Sequence, residues 1–323
     1  MKPSSNTADM TKGSPVRLIL TFSVPLIIGN IFQQFYNMVD SIVVGNFVGA
    51  NALGAVGACG SLNWLFFSLS SGLGIGIGVI VSQFYGAKRF DKVSETIANS
   101  FYVLISSALV VSILCYLIAP AVLRLLKTPD DIINDSITYM RTTCLGIVAI
   151  SLYNGVSSIL RALGDSKTPL YFLILSSICN VLLDLLFVIS FGWGVFGVAF
   201  ATILSQALSA VVSLFYAFKK ISYFHLTKKQ LKPDFLIIKN SYRLGVPIAL
   251  QSSMIAVSCV FLQSIVNSFG STVVSAYTIT NRIEQLINQP YNSIGTALTT
   301  YAGQNIGAGD TERVKLGFKK SIG

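Results

Sequence analysis

The 323-residue chain is 53% hydrophobic and only 11% charged, with a mean hydropathy of +0.69; soluble domains carry about 25% charged residues, so a soluble class is excluded. The net charge of +10 does not signal nucleic acid, because the basic residues cluster in loops between apolar runs. Five cysteines without a CxxC pair support no disulfide or metal framework, a single histidine outside the apolar runs excludes a zinc protease or His-based hydrolase, and no P-loop is present to couple ATP.

Runs this long and continuous predict membrane-crossing helices rather than the alternating strands of a barrel. Eight spans are predicted, at about 16–44, 51–83, 96–123, 136–160, 168–191, 195–218, 241–267 and 274–303. The polar segment Met1 to Arg17 lacks the apolar core of a cleaved signal peptide. Span 1 carries Pro25, either a hinge or a static kink, and Asp40, the only charged residue between Arg17 and Lys88. A carboxylate in hydrocarbon costs several kcal/mol unless paired, protonated or facing water. Gln33, Gln34, Tyr36 and Asn37 precede it, either lining a cavity or bonding between helices. Span 2 has Gly72, Gly74, Gly76 and Gly78, read as close helix packing. Tyr139 lies near the outer end of span 4, with Asn154 deeper. Span 5 carries Asn180 and Asp184, the latter alone in charge between Lys167 and Lys219, and span 6 carries Thr202. Span 8 holds Arg282 and Glu284.

Nineteen Lys and Arg fall on one side of these spans, including those of the 219–243 loop, and three (Arg124, Lys127, Arg141) on the other. The positive-inside bias places the N-terminus in the cytoplasm of a multi-pass cell-membrane protein. The chain also repeats. Gln83-Phe84-Tyr85-Gly86-Ala87 and Gln304-Asn305-Ile306-Gly307-Ala308 stand 221 residues apart, the same offset sets Gly49 on Gly270, and one more residue sets Pro25 on Pro247. Six spans per unit gives a parallel repeat. The expected division is a six-helix lobe over 1–220, a cytoplasmic linker over 221–240, and the first two helices of a second lobe over 241–323, with a complete second unit extending further.

Depth can be counted. Asp40, Asp184 and Thr202 lie within about 4 Å of one level at 1.5 Å per residue, and Asn180 shares a helix face with Asp184. If span 1 packs on the span 5–6 hairpin, two carboxylates, a carboxamide and a hydroxyl form one site. Two such acids cannot both stay ionised in low dielectric without a counter-ion, so the pair holds a proton or chelates Na⁺ through oxygen. Interior acids outnumber bases, which favours cationic cargo. An intramembrane aspartyl protease and a lipid-linked flippase of related architecture are the rival readings.

Asp40 within Tyr36-Asn37-Met38-Val39-Asp40, the loop Gln83 to Lys88, Leu160-Arg161-Ala162-Leu163-Gly164-Asp165-Ser166-Lys167-Thr168-Pro169, Asn180 with Asp184, Gly197 with Ala201-Thr202, and Gly303 to Gly309 together carry a resemblance. The chain resembles the multidrug and toxic compound extrusion (MATE) family. The resemblance implies two six-helix lobes rocking about a central cavity, a monomer when full length, no cofactor, and no catalysis. It implies export of amphipathic organic cations in exchange for H⁺ or Na⁺ by a protein embedded in the lipid bilayer. Its cation site maps onto Asp40, Asn180, Asp184 and Thr202, with Gln34, Tyr36, Asn37, Tyr139, Asn154 and Glu284 as cavity candidates and Pro25 as hinge. Some members carry a glutamate in the seventh helix, where Gln251 stands here, which puts a second ion site in doubt.

Overall fold

The structure is a computed structural model that describes residues 7–126, 128–267, 269 and 271–322. Residues 1–6 of the N-terminal segment, Lys127, Gly270 and the side chain of Arg282, all used above, lie outside the described residues. Among the described residues, ten α-helices follow in order: α1 Pro15–Val43, α2 Ala50–Gly86, α3 Phe90–Leu125, α4 Ile133–Leu145, α5 Ile147–Ala162, α6 Lys167–Leu185, α7 Gly194–Lys220, α8 Phe235–Asn267, α9 Ser271–Gly307 and α10 Thr311–Ile322. Among the described residues, five helices are long and apolar enough to cross a membrane, and the α4–α5 pair, bent by 48°, makes a sixth. The chain is an all-α, multi-pass membrane protein.

Three elements differ from the sequence reading. Span 4 is not one straight helix. It turns at Gly146, where a side chain would stand 2.7 Å from Ile203 on α7. The outward-running helices α1 and α6 each end in a wide π turn, Val44–Val48 and Leu186–Ser190. Gly49 closes the first at φ +123°, and Gly192 and Gly194 follow the second at +66° and +54°, backbone that favours glycine. The 221–240 linker is shorter than expected, because α8 begins at Phe235. Asp234 starts it by accepting hydrogen bonds from the Leu236 and Ile237 amides at 2.9 and 3.3 Å. The rest of the linker is held to α3: the Tyr102 hydroxyl donates to the Leu231 carbonyl at 2.7 Å, and the Asp234 amide to Asn99 Oδ1 at 2.8 Å. Tyr223 and Phe224 are buried against Tyr85, Phe90 and Phe218. Burial pushes the Tyr223 hydroxyl up to about 12.

Small residues set the spacing of the bundle. Gly29 lets α1 approach Leu170 and Leu173 of α6, each 3.3 Å from where a Cβ would stand. α2 packs most extensively on α8. Gly72 and Gly76 of α2 meet Ala249 and Gly245 with only 2.6 Å for a Cβ, and the hydroxyls of Ser68 and Ser253 meet at 3.2 Å. Under the repeat α1 corresponds to α8 and α2 to α9, so the α2–α8 contact has a counterpart between α1 and α9, marked by the Asn30–Ser293 hydrogen bond at 3.1 Å. The N-terminal segment, the α2–α3 and α5–α6 turns and the α7–α8 linker gather at one end of the bundle, the basic end.

Candidate cation-binding site

α1 lies beside α6, and α6 and α7 form a hairpin; these contacts decide which polar groups meet. Asp184 is fully buried and Asn180 nearly so, while Asp40 and Thr202 are half-buried. The Asp40 and Asp184 carboxyls are close enough to act on each other's charge. Asn180 Nδ2 donates to the Thr202 hydroxyl at 3.4 Å, and that hydroxyl donates to the Val198 carbonyl at 3.1 Å. So α1, α6 and α7 bring all four residues into one neighbourhood. Each acid stands just before a π turn, four residues before Val44 and two before Leu186; such turns widen a helix and re-aim its side chains.

The oxygens carry the chemistry. Asp40 Oδ1, Asn180 Oδ1 and both carboxylate oxygens of Asp184 are buried with no hydrogen-bond donor. Buried acceptors without donors are costly, and two facing carboxylates repel in low dielectric. A proton shared between them, or a hard cation, removes both penalties. The set of two carboxylates, one carboxamide oxygen and one hydroxyl suits Na⁺ as well as H⁺.

The other candidates divide. Tyr36 and Tyr139 join the cluster: both rings place their hydroxyls near enough to Asp40 and Asp184 to feel their charge. Asn154 is half-buried on α5, beyond the bend from Tyr139, with Nδ2 unpartnered. Gln34 is half-buried, whereas Asn37 is exposed and its carbonyl accepts the Ser41 hydroxyl at 2.9 Å. Glu284 is exposed on α9 and is not among the groups acting on either carboxyl. Pro25 is buried within α1, which continues through it, about 22 Å along the axis from Asp40. Sequence reasoning passed over Tyr153, whose hydroxyl lies near that of Tyr36 and donates to the Pro169 carbonyl at 3.3 Å. Its place one residue before Asn154 was the available signal.

The MatE family model matches residues 25–186 and 247–323. The probable multidrug resistance protein YpnP of Bacillus subtilis is 35% identical over 309 residues, which cover 95% of this chain and 68% of that protein. The probable multidrug resistance protein YoeA of the same organism is 30% identical, covering 98% and 70%. Among solved structures, a MOP superfamily transporter from Pyrococcus furiosus superposes with a TM-score of 0.92 at 26% identity, covering all of this chain and 71% of that one. An outward-facing multidrug resistance MATE family transporter gives the same values.

Proposed function

The chain belongs to the MatE family, and from that premise we propose that it works in multidrug efflux, exporting amphipathic organic cations in exchange for H⁺ or Na⁺. In this reading α1–α7 form one lobe, α8–α10 open a second, and the basic end faces the cytoplasm. Asp40, Asn180, Asp184 and Thr202 are the coupling-ion site, with Tyr36 and Tyr139 beside it. The single observation that supports the reading is the convergence of donor-free buried oxygens from Asp40, Asn180 and Asp184.

The physical consequence is competition. An organic cation in the cavity is attracted by the same net negative charge that a proton or Na⁺ neutralises. Ion entry therefore weakens the hold on cargo, and cargo entry weakens the hold on the ion. Asp40 rides on α1, so its occupancy bears on where that helix sits against α6, with Pro25 as the point where a backbone hydrogen bond is missing.

The test is dye efflux from proteoliposomes under imposed pH and Na⁺ gradients applied separately. Asp40→Asn and Asp184→Asn each remove one charge and keep the shape. Each variant is expected to lose ion-driven efflux at least about tenfold, a change of about 1.4 kcal/mol, while eluting as a monodisperse protein. Wild-type rates in both variants would refute the proposal, and the gradient that drives the wild type names the ion.

A further inference from the structure

At the basic end the two halves of the repeat touch at equivalent positions. A Cβ on Gly86 would overlap the Gln304 carbonyl, and one on Gly307 would overlap the Gln83 carbonyl; Gln83 and Gln304, and Gly86 and Gly307, are each 221 residues apart. Gly303 meets Ser82 in the same way, again at that offset. This is the self-complementary contact of a two-fold axis, made within one chain. At the other end of α2, Gly57 and Gly60 have nothing within 4 Å of a Cβ. The halves interlock backbone to backbone at the basic end and stay close along α2 as far as Gly72 and Ser68, which meet Ala249 and Ser253, but Gly57 and Gly60 beyond them have open space.

The seam is asymmetric in one respect, because a segment from the N-terminus runs across it. The Ala8 amide donates to the Gly164 carbonyl at 3.0 Å, and Thr7 bonds the Tyr85 hydroxyl, both on the side of α1–α7. Met10, fully buried, crosses to the other side. Its amide donates to Gln304 Oε1 at 2.9 Å, and its carbonyl accepts Asn305 Nδ2 at 3.1 Å. Its side chain packs with Ile19 and Phe22 of α1 and Ala297 and Tyr301 of α9. Arg313 of α10 donates to the Gly13 carbonyl at 2.7 Å while lying over the Tyr301 ring. Gln304 also reaches back, its Nε2 donating to the Ala162 carbonyl at 2.9 Å. The repeat counterpart of Asn305 is Phe84, which packs on an apolar cluster instead, so only one half carries this amide grip.

We propose that residues 7–13 are a latch: the strap from Thr7 to Gly13, held by Gln304, Asn305 and Arg313 on one side and by Gly164 and Tyr85 on the other, keeps the cytoplasmic seam closed. Parting the halves at this end must break at least three hydrogen bonds, whichever half keeps the strap, and disturb the packing of the Met10 side chain between α1 and α9, none of which is needed to open the opposite end. The strap thereby biases the molecule towards the form closed to the cytoplasm. The proposal rests on the alternating-access reading but not on which ion or cargo is carried.

The test reads distance rather than transport. Spin labels at Lys167→Cys and Glu312→Cys, both exposed and on opposite sides of the seam, are placed in the otherwise cysteine-free full chain. Their separation is compared in the unmodified strap, in a form lacking residues 2–13, and in Asn305→Leu. Both changes are expected to raise the share of molecules with the longer separation at least about fivefold, with Arg313→Ala giving a smaller rise. If the shortened form fails to fold, Asn305→Leu decides. Distributions that match the wild type, or that become shorter, overturn the latch. Separation that grows in strap variants while Asp40→Asn still pumps normally would sink the ion-site reading and leave the latch standing.

Discussion

Asp165 shows how one side chain fixes a local turn. Its Oδ1 accepts the Lys167 and Thr168 amides at 3.1 and 3.0 Å, and its Oδ2 accepts the Thr168 hydroxyl at 2.6 Å. These satisfy amides that the start of α6 would otherwise leave bare. Burial pushes the Asp165 carboxyl up, and those hydrogen bonds pull it back part of the way. Beside it, Gly164 sits at φ +91° against the Ala8 carbonyl, a place with no room for a side chain. Asp165→Ala is expected to cost about 1 kcal/mol as a lost cap and to lower the thermal midpoint by about 2–4 °C in purified protein; Asp165→Asn, which keeps an acceptor, should cost less. An unchanged midpoint for Asp165→Ala would show the cap to be dispensable. The sequence exposed this residue only as part of a ten-residue motif. Its capping role depends on the turn that follows α5, which no spacing rule states.

The pairing of α2 with α8 is governed by small residues facing each other along two turns. Gly76 leaves 2.6 Å between a would-be Cβ and the Gly245 amide nitrogen, and that neighbour is backbone and cannot rotate away. Gly76→Val therefore has to push the helices apart. Overpacking of this kind costs about 1–3 kcal/mol, and the expected result is a lower midpoint in thermal unfolding. Gly60→Val is the control, since nothing lies within 4 Å of its Cβ, and it should leave the midpoint in place. The glycine pattern of span 2 already suggested close helix packing. Which helix would fill the groove was not legible, because a small-residue stripe names no partner. The bend between α4 and α5 was equally hidden: Gly146 is tolerated within a long apolar run, and only the approach of Ile203 shows why the direction changes there.

Over the whole molecule, the basic residues described here sit mostly at the end where the N-terminal strap, the seam and the α7–α8 linker meet. The expected orientation puts that end in the cytoplasm. In cells, a membrane-impermeant maleimide should label Phe191→Cys, exposed after the second π turn, and should reach Lys228→Cys, exposed in the linker, only after permeabilisation. The reverse pattern would invert the topology and, with it, the direction of transport. The same view joins the two proposed devices. The carboxyl cluster lies towards the end of α2 where Gly57 and Gly60 have open space, and the latch lies at the end where the halves interlock. Under the two proposals, ion occupancy and seam closure would act on the same two halves from opposite ends, which is the physical requirement for coupling through a two-state element.

Sequence by itself determined that the chain is helical and membrane-embedded, that it repeats at a fixed offset, and that Asp40 and Asp184 are isolated charges at one depth, because composition and periodicity report directly on solvent and on rise per residue. The tertiary structure alone decided that α1 lies against α6, so that carboxyls 144 positions apart in sequence come into one neighbourhood. It alone decided that the repeated Gln-to-Gly turns of the two halves clasp each other under a strap. Both outcomes follow from side-chain packing between distant segments, for which a linear pattern supplies the candidates but not the partners.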